Sequence, residues 1–190
     1  MVAVLATGLL SCALFSQQAQ ADTIQGNINF AGSVVFDTND LATVTRVNTW
    51  YDVFGNPGFS NVTKGATGDF GGIAPGTDAT MAQPWIFNPS TPTPGLWSVG
   101  GFTFDLLSST VVTQNSTFLN IRGIGTISGN MFNPTPGTWA FTVQNSGGGL
   151  LTDFSFSANS QGVPDGGSAV ALLGIALVGI EVLRRKLRTA

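Results

Sequence analysis

The 190-residue chain contains no histidine. Any chemistry must therefore come from carboxylates, hydroxyls, one cysteine and seven cations, and every triad, dyad or metal site built on imidazole is excluded. The closest carboxylate pair in the middle of the chain is Asp37 and Asp40, in Phe36-Asp37-Thr38-Asn39-Asp40. A glycosidase pair needs one acid of raised pKa opposite an ionised partner. Clustered Asp and Asn instead favour a turn in which the side chains bond to their own backbone. Asp37, Asn39 and Asp40 offer oxygens of the kind Ca²⁺ accepts, but the spacing is not that of an EF-hand. Lys64 is the one lysine in this region, and no Ser-x-x-Lys spacing accompanies it. Gly147-Gly148-Gly149 reads as a hairpin loop rather than a phosphate cradle. The expectation is a protein that is not an enzyme and uses no cofactor or metal.

Binding chemistry is better represented. Sugars stack on exposed aromatic faces, and Trp50, Tyr51 and Trp85 (beside Pro84) are the candidate glycan contacts. Adjacent residues of a strand face opposite sides, so one of Trp50 and Tyr51 is expected to point outward. The competing expectation is that these rings pack in the core.

Charge places the chain outside the nucleic-acid binders. Residues 22–161 hold Arg46, Lys64 and Arg122 against eight aspartates, a net of −5. No basic footprint for a phosphate backbone exists there. The other four cations, Arg184, Arg185, Lys186 and Arg188, crowd the C-terminus.

Both ends read as addresses. Val2 to Phe15 is almost wholly apolar, and Ala19 and Ala21 fit the small-x-small pattern of a secretory cleavage site. Residues 1–21 are therefore expected to be a signal helix, with a mature start at Asp22 and a start codon upstream of Met1 supplying the missing positive region. Cys12 lies inside the apolar run, which argues against lipidation. Cleavage after Ala21 leaves a mature chain without a thiol, so the exported domain must rest on its core alone. At the other end, Val163-Pro164-Asp165-Gly166-Gly167-Ser168 precedes an apolar stretch at 169–183 and a basic tail at 184–190. Fifteen residues span about 22 Å as a helix, short against a hydrocarbon core of about 30 Å, though flanking leucines and snorkelling arginines extend it. The basic tail predicts a cytoplasmic end and an outside ectodomain.

This three-part tail resembles the sorting signal of PEP-CTERM proteins in its VPDSG-type variant. The resemblance rests on Val163, Pro164 and Asp165, the short apolar stretch and the Arg-rich stop, with Gly166 where the variant's name has serine. It implies a Gram-negative bacterium and recognition of Val163, Pro164 and Asp165 by an exosortase, a membrane-embedded cysteine transpeptidase-like enzyme. It also implies an exopolysaccharide or biofilm context. Pro164 biases Val163 toward extended backbone, and Gly166-Gly167 resist helix formation, so the motif should present itself as an accessible strand.

The elements between the two addresses show period two. Trp97-Ser98-Val99-Gly100-Gly101-Phe102-Thr103-Phe104-Asp105-Leu106 alternates with a bend at Gly100-Gly101, and Phe118–Ile127 and Trp139–Val143 follow the same rule. Asn56-Pro57-Gly58, Pro75-Gly76, Pro94-Gly95, Ser128-Gly129-Asn130 and Pro136-Gly137 read as turns. The expected fold is all-β: a single antiparallel sandwich or jelly-roll-like domain over 22–157, flanked by a signal helix and a C-terminal transmembrane helix. A linker is expected at 158–162 and the sorting signal at 163–190, with its motif at 163–168. Phe87-Asn88-Pro89 through Trp97 echoes Phe132-Asn133-Pro134 through Trp139, which reads as two similar loop solutions. The leading functional expectation is an exported, non-catalytic surface or matrix protein, anchored at the membrane as a precursor and then released to the surface or beyond. Its partners are an exosortase, the membrane and possible exopolysaccharide. The alternatives are a carbohydrate-binding module and, less favoured, an extracellular hydrolase.

Overall fold

Alternation of side chains decides the architecture. In the first strand, β1 (Gly26–Phe36), every second residue faces inward: Ile28, Phe30, Gly32, Val34 and Phe36 are buried. The computed structural model describes residues 22–144 and 151–160. Nine further strands follow: β2 (Arg46–Tyr51), β3 (Phe59–Val62), β4 (Asp78–Met81), β5 (Trp85–Ile86), β6 (Thr93–Val99), β7 (Phe102–Gln114), β8 (Phe118–Gly129), β9 (Phe132–Gln144) and β10 (Leu151–Ser160). One 3-10 turn at Gly68–Phe70 is the sole helical element among the described residues, and none of their helices is long and apolar enough to cross a membrane. The expected signal and transmembrane helices lie outside the described residues.

The strands form one antiparallel sheet that closes on itself. Its order is β10-β9-β8-β7-β6-β4-β3-β1, and β10 returns to β1 from Gly26↔Ser160 to Val35↔Leu151. Eight strands therefore make a ring, and the expected two-sheet sandwich is corrected to a barrel. The reason is physical. A sandwich keeps unpaired edges on both sheets, whereas here β10 is bonded on one side to β9 and on the other to β1. Closure pairs the ring's first and last strands, which would otherwise be edges able to template aggregation.

Strands β2 and β5 complete the wall of one tier. The edge of β1 away from β10 pairs with β3 at Phe30 and Ala31, and with β2 from Ser33 to Phe36. β5 pairs with β2, and the loop after it is tied to β7. The amide of Ser109 donates to Ser90 Oγ at 2.7 Å, and its hydroxyl donates to the Phe87 carbonyl at 3.2 Å.

The interior is filled with rings, as expected where eight strands leave room for side chains alone. One group joins Phe30, Phe70, Phe102 and Phe104 around Trp97, with Trp97 and Phe104 stacked at 5.7 Å. The other joins Trp50, Trp85, Phe87, Trp139, Phe141 and Phe154. Small residues make space for them. Gly123 and Gly125 occupy inward positions of β8, where an added Cβ would collide with the Trp139 and Phe104 rings. The buried Nε1 atoms of Trp85 and Trp97 meet no hydrogen-bond acceptor, a local cost of about 1–3 kcal/mol each set against the burial of large apolar rings.

Three boundaries differ from expectation. β10 runs to Ser160, so residues 158–160 belong to the barrel rather than to a linker. Pro94-Gly95 lies within β6, where the register shifts between Thr93 and Trp97, and Pro136-Gly137 lies within β9. Pro136 is tolerated because β10 pairs with β9 only from Gly137 onward, leaving the side of β9 before it without a β10 partner. The two Phe-Asn-Pro echoes also part company. The first leads through a loop into β6, and the second is continuous strand.

Candidate functional site

Trp50 faces inward because it pairs with inward Val34, and Trp85 because it sits opposite inward Val47. Both are 0% exposed and stack on one another at 5.8 Å with 20° between planes. Trp50 Nε1 donates to the Ala82 carbonyl at 2.9 Å. Neither ring can offer a face to a sugar. The expectation that exposed tryptophans form a glycan platform is therefore corrected: parity in β2 sends Trp50 into the core and leaves only Tyr51, half-buried, on the opposite side.

The carboxylates are structural anchors. Asp37 accepts from the Thr45 hydroxyl, from the Thr45 amide at 3.0 Å and from the Arg46 amide at 3.4 Å, stitching the β1–β2 connection. Burial works against its charge, but the Thr45 and Arg46 bonds more than offset that and hold its pKa below the ordinary 3.8. Asp40 accepts from the Ala42 amide at 3.0 Å within its own turn. Asp37 and Asp40 thus bond to separate backbone segments. Lys64 is exposed on the loop after β3. Among the described residues, no three acidic or thiol side chains converge in a way that could hold a metal ion.

Two outer features stand out. The first is the loop between β2 and β3. Asp52 accepts from the Phe54 amide at 2.9 Å, the Asn56 amide at 2.7 Å and Asn56 Nδ2 at 2.7 Å, while Asn61 Oδ1 accepts from the Val53 amide at 2.8 Å. Desolvation pushes the Asp52 carboxyl up, and the Asn56, Phe54 and Gly55 bonds outweigh it, so its pKa too lies below 3.8. The aspartate is shielded by its own loop rather than by the core. This framework holds Val53 and Phe54 in solvent, 61% and 80% exposed.

The second feature is the outer face of β7–β10. A groove of about 560 Å³ runs over Ser108, Thr110, Arg122, Thr138, Ser157 and Asn159. An adjoining hollow of about 600 Å³ shares Ile124, Thr138 and Asn159, and adds Leu107 and Pro136. Ile124 and Leu107 are more than half exposed. Sequence reasoning passed over these residues. The available signal was the break in alternation at Val53-Phe54 and at Leu106-Leu107, where two apolar neighbours cannot both face the core.

β10 ends at Ser160, paired with Gly26 at the rim where the barrel begins. Residues 162–187 match the family described as VPDSG-CTERM motif. The chain carries a PEP-CTERM-type exosortase sorting signal. The VPDSG-CTERM segment contains Val163, Pro164, Asp165 and Gly166 together with Arg184, Arg185 and Lys186, and Arg188 lies one position beyond it. It implies processing by an exosortase. These residues, like Ala19 and Ala21, lie outside the described residues. No curated protein and no solved structure matches the chain.

Proposed function

We propose that this chain is an exported, non-catalytic cell-surface or matrix protein whose β-barrel is delivered across the inner membrane and processed by an exosortase at the VPDSG-CTERM segment. The match at 162–187 carries this reading. The position of the barrel supports it. The last strand ends two residues before the match begins, so the motif follows the folded domain without a long spacer. Gly26 and Ser160 are partners at one rim, so the chain enters and leaves the barrel at the same end. A domain built this way stands on its C-terminal tail and needs no rearrangement when that tail is exchanged. The filled interior and the backbone-bonded aspartates suit a structural role. Matrix or biofilm association is part of the same proposal and rests on the sorting class.

The test is substitution within the motif. Pro164→Ala restores a backbone N–H and frees Val163 from extended geometry. The full-length precursor is expected to accumulate in membranes, measured by fractionation and immunoblotting. Unchanged processing of Pro164→Ala together with Asp165→Ala overturns the reading.

A further inference from the structure

The Val53–Phe54 knob and the Leu107/Ile124/Pro136 hollow lie on different sides of the barrel. The knob projects from the connection between β2 and β3, at the seam where both meet β1. The hollow is centred on β8. In the ring order, β8 is four strands from β3 in one direction and three from β1 in the other. With eight strands in the ring, knob and hollow sit roughly half a turn apart and cannot meet within one molecule.

Their chemistries are complementary. The knob is apolar and rigid, held by the Asp52 and Asn61 bonds, so little conformational freedom is lost when it docks. Its base is acidic. Asp52 lies beneath the tip, and exposed Asp78 accepts from Asn61 Nδ2 at 2.7 Å. The loop from Asp52 to Gly58 contains no cation. The hollow presents Leu107, Ile124 and Pro136 and adjoins exposed Arg122, one of only three cations in residues 22–161. Complementary charge orients an encounter, and apolar burial holds it.

We infer that the outer face of β7–β9 receives the Val53–Phe54 loop of a second copy of this chain. The contact is heterologous: each copy offers a knob on one side and a hollow on the other. Such contacts propagate head to tail, into a ring or an open filament according to the rotation between copies. Sites half a turn apart favour an open chain. One aromatic residue in one hollow makes a weak contact, so assembly depends on many copies held at high local density. The inference does not depend on how the C-terminal tail is processed.

The test uses the full chain with Cys12→Ser, in excess detergent micelles so that apolar tails do not bring copies together. One sample carries Val53→Cys, which keeps the Phe54 ring, another carries Thr138→Cys at the polar margin of the hollow, and a short bis-maleimide is the probe. Both positions are exposed, so the fold is retained. Mixing the two samples is expected to give a covalent dimer several-fold above either sample alone. Adding Arg122→Glu to the hollow-bearing chain should lower that yield several-fold. The double variant Val53→Cys/Thr138→Cys should give a ladder of dimers, trimers and larger species. No excess in the mixture, or dimers of one variant with itself alone, overturns the inference. A double variant that stops at dimer overturns the open chain.

Discussion

At the scale of single residues, hydrogen bonds to carboxylates set the pH response. Asp37 and Asp52 both titrate below 3.8 in the folded barrel, against ordinary values in the unfolded chain. A group with a depressed folded pKa stabilises the fold above its unfolded pKa and loses that contribution as pH falls toward the folded one. The melting temperature is therefore expected to show no loss from these two groups between neutral pH and about pH 5, and to fall below about pH 4. In the variant Asp37→Asn/Asp52→Asn the acid-side decline should be shallower. An equally steep decline would place the acid sensitivity in other carboxylates. The inward glycines give a second prediction. Gly123→Ala drives a Cβ toward the Trp139 ring and the Ser108 carbonyl and should cost about 1–3 kcal/mol, whereas Ile124→Ala beside it, on the outer face, should stay within about 0.5 kcal/mol. Denaturant titration followed by tryptophan fluorescence separates the two.

At the scale of elements, Trp50 shows what sequence can and cannot tell. That Trp50 and Tyr51 face opposite sides follows from the pleat, and the structure agrees. Which of them faces inward depends on the pairing of Trp50 with Val34, a contact sixteen residues away in sequence that no local pattern announces. Trp50→Ala is accordingly expected to cost about 3–5 kcal/mol by opening a cavity against Trp85, Phe141 and Phe154, and Tyr51→Ala clearly less. Similar costs for both would contradict the assigned parity. The strands at Phe118–Ile127 and Trp139–Val143 were legible because one face is buried along them. Trp97–Leu106, which alternates as if it were one bent strand, is instead the end of β6 and the start of β7, joined by a two-residue turn at Gly100-Gly101. Pro94-Gly95 and Pro136-Gly137 were not legible as strand, because a proline within a strand, beyond the reach of the neighbouring β4 or β10 ladder, looks locally like a turn. The knob and hollow escaped notice because outward apolar residues have meaning only once the wall they sit on is known.

At the scale of the whole molecule, closure is the feature the linear pattern could not supply. Alternating strands fit a sandwich and a barrel equally well, and the deciding contact, β1 with β10, joins residues more than one hundred positions apart. That same contact sets both ends of the domain at one rim, next to the segment matched as VPDSG-CTERM motif. The barrel is completed by its last strand, and in the sequence the sorting signal begins just beyond it. The measurement that bears most directly on this account is the intact mass of the mature protein from cells with and without the exosortase. The account expects a chain that starts at Asp22 and ends between Val163 and Gly167 only when the enzyme is present, with any excess mass identifying the group attached in place of the tail. An identical mass in both strains, retaining residues through Ala190, would contradict it.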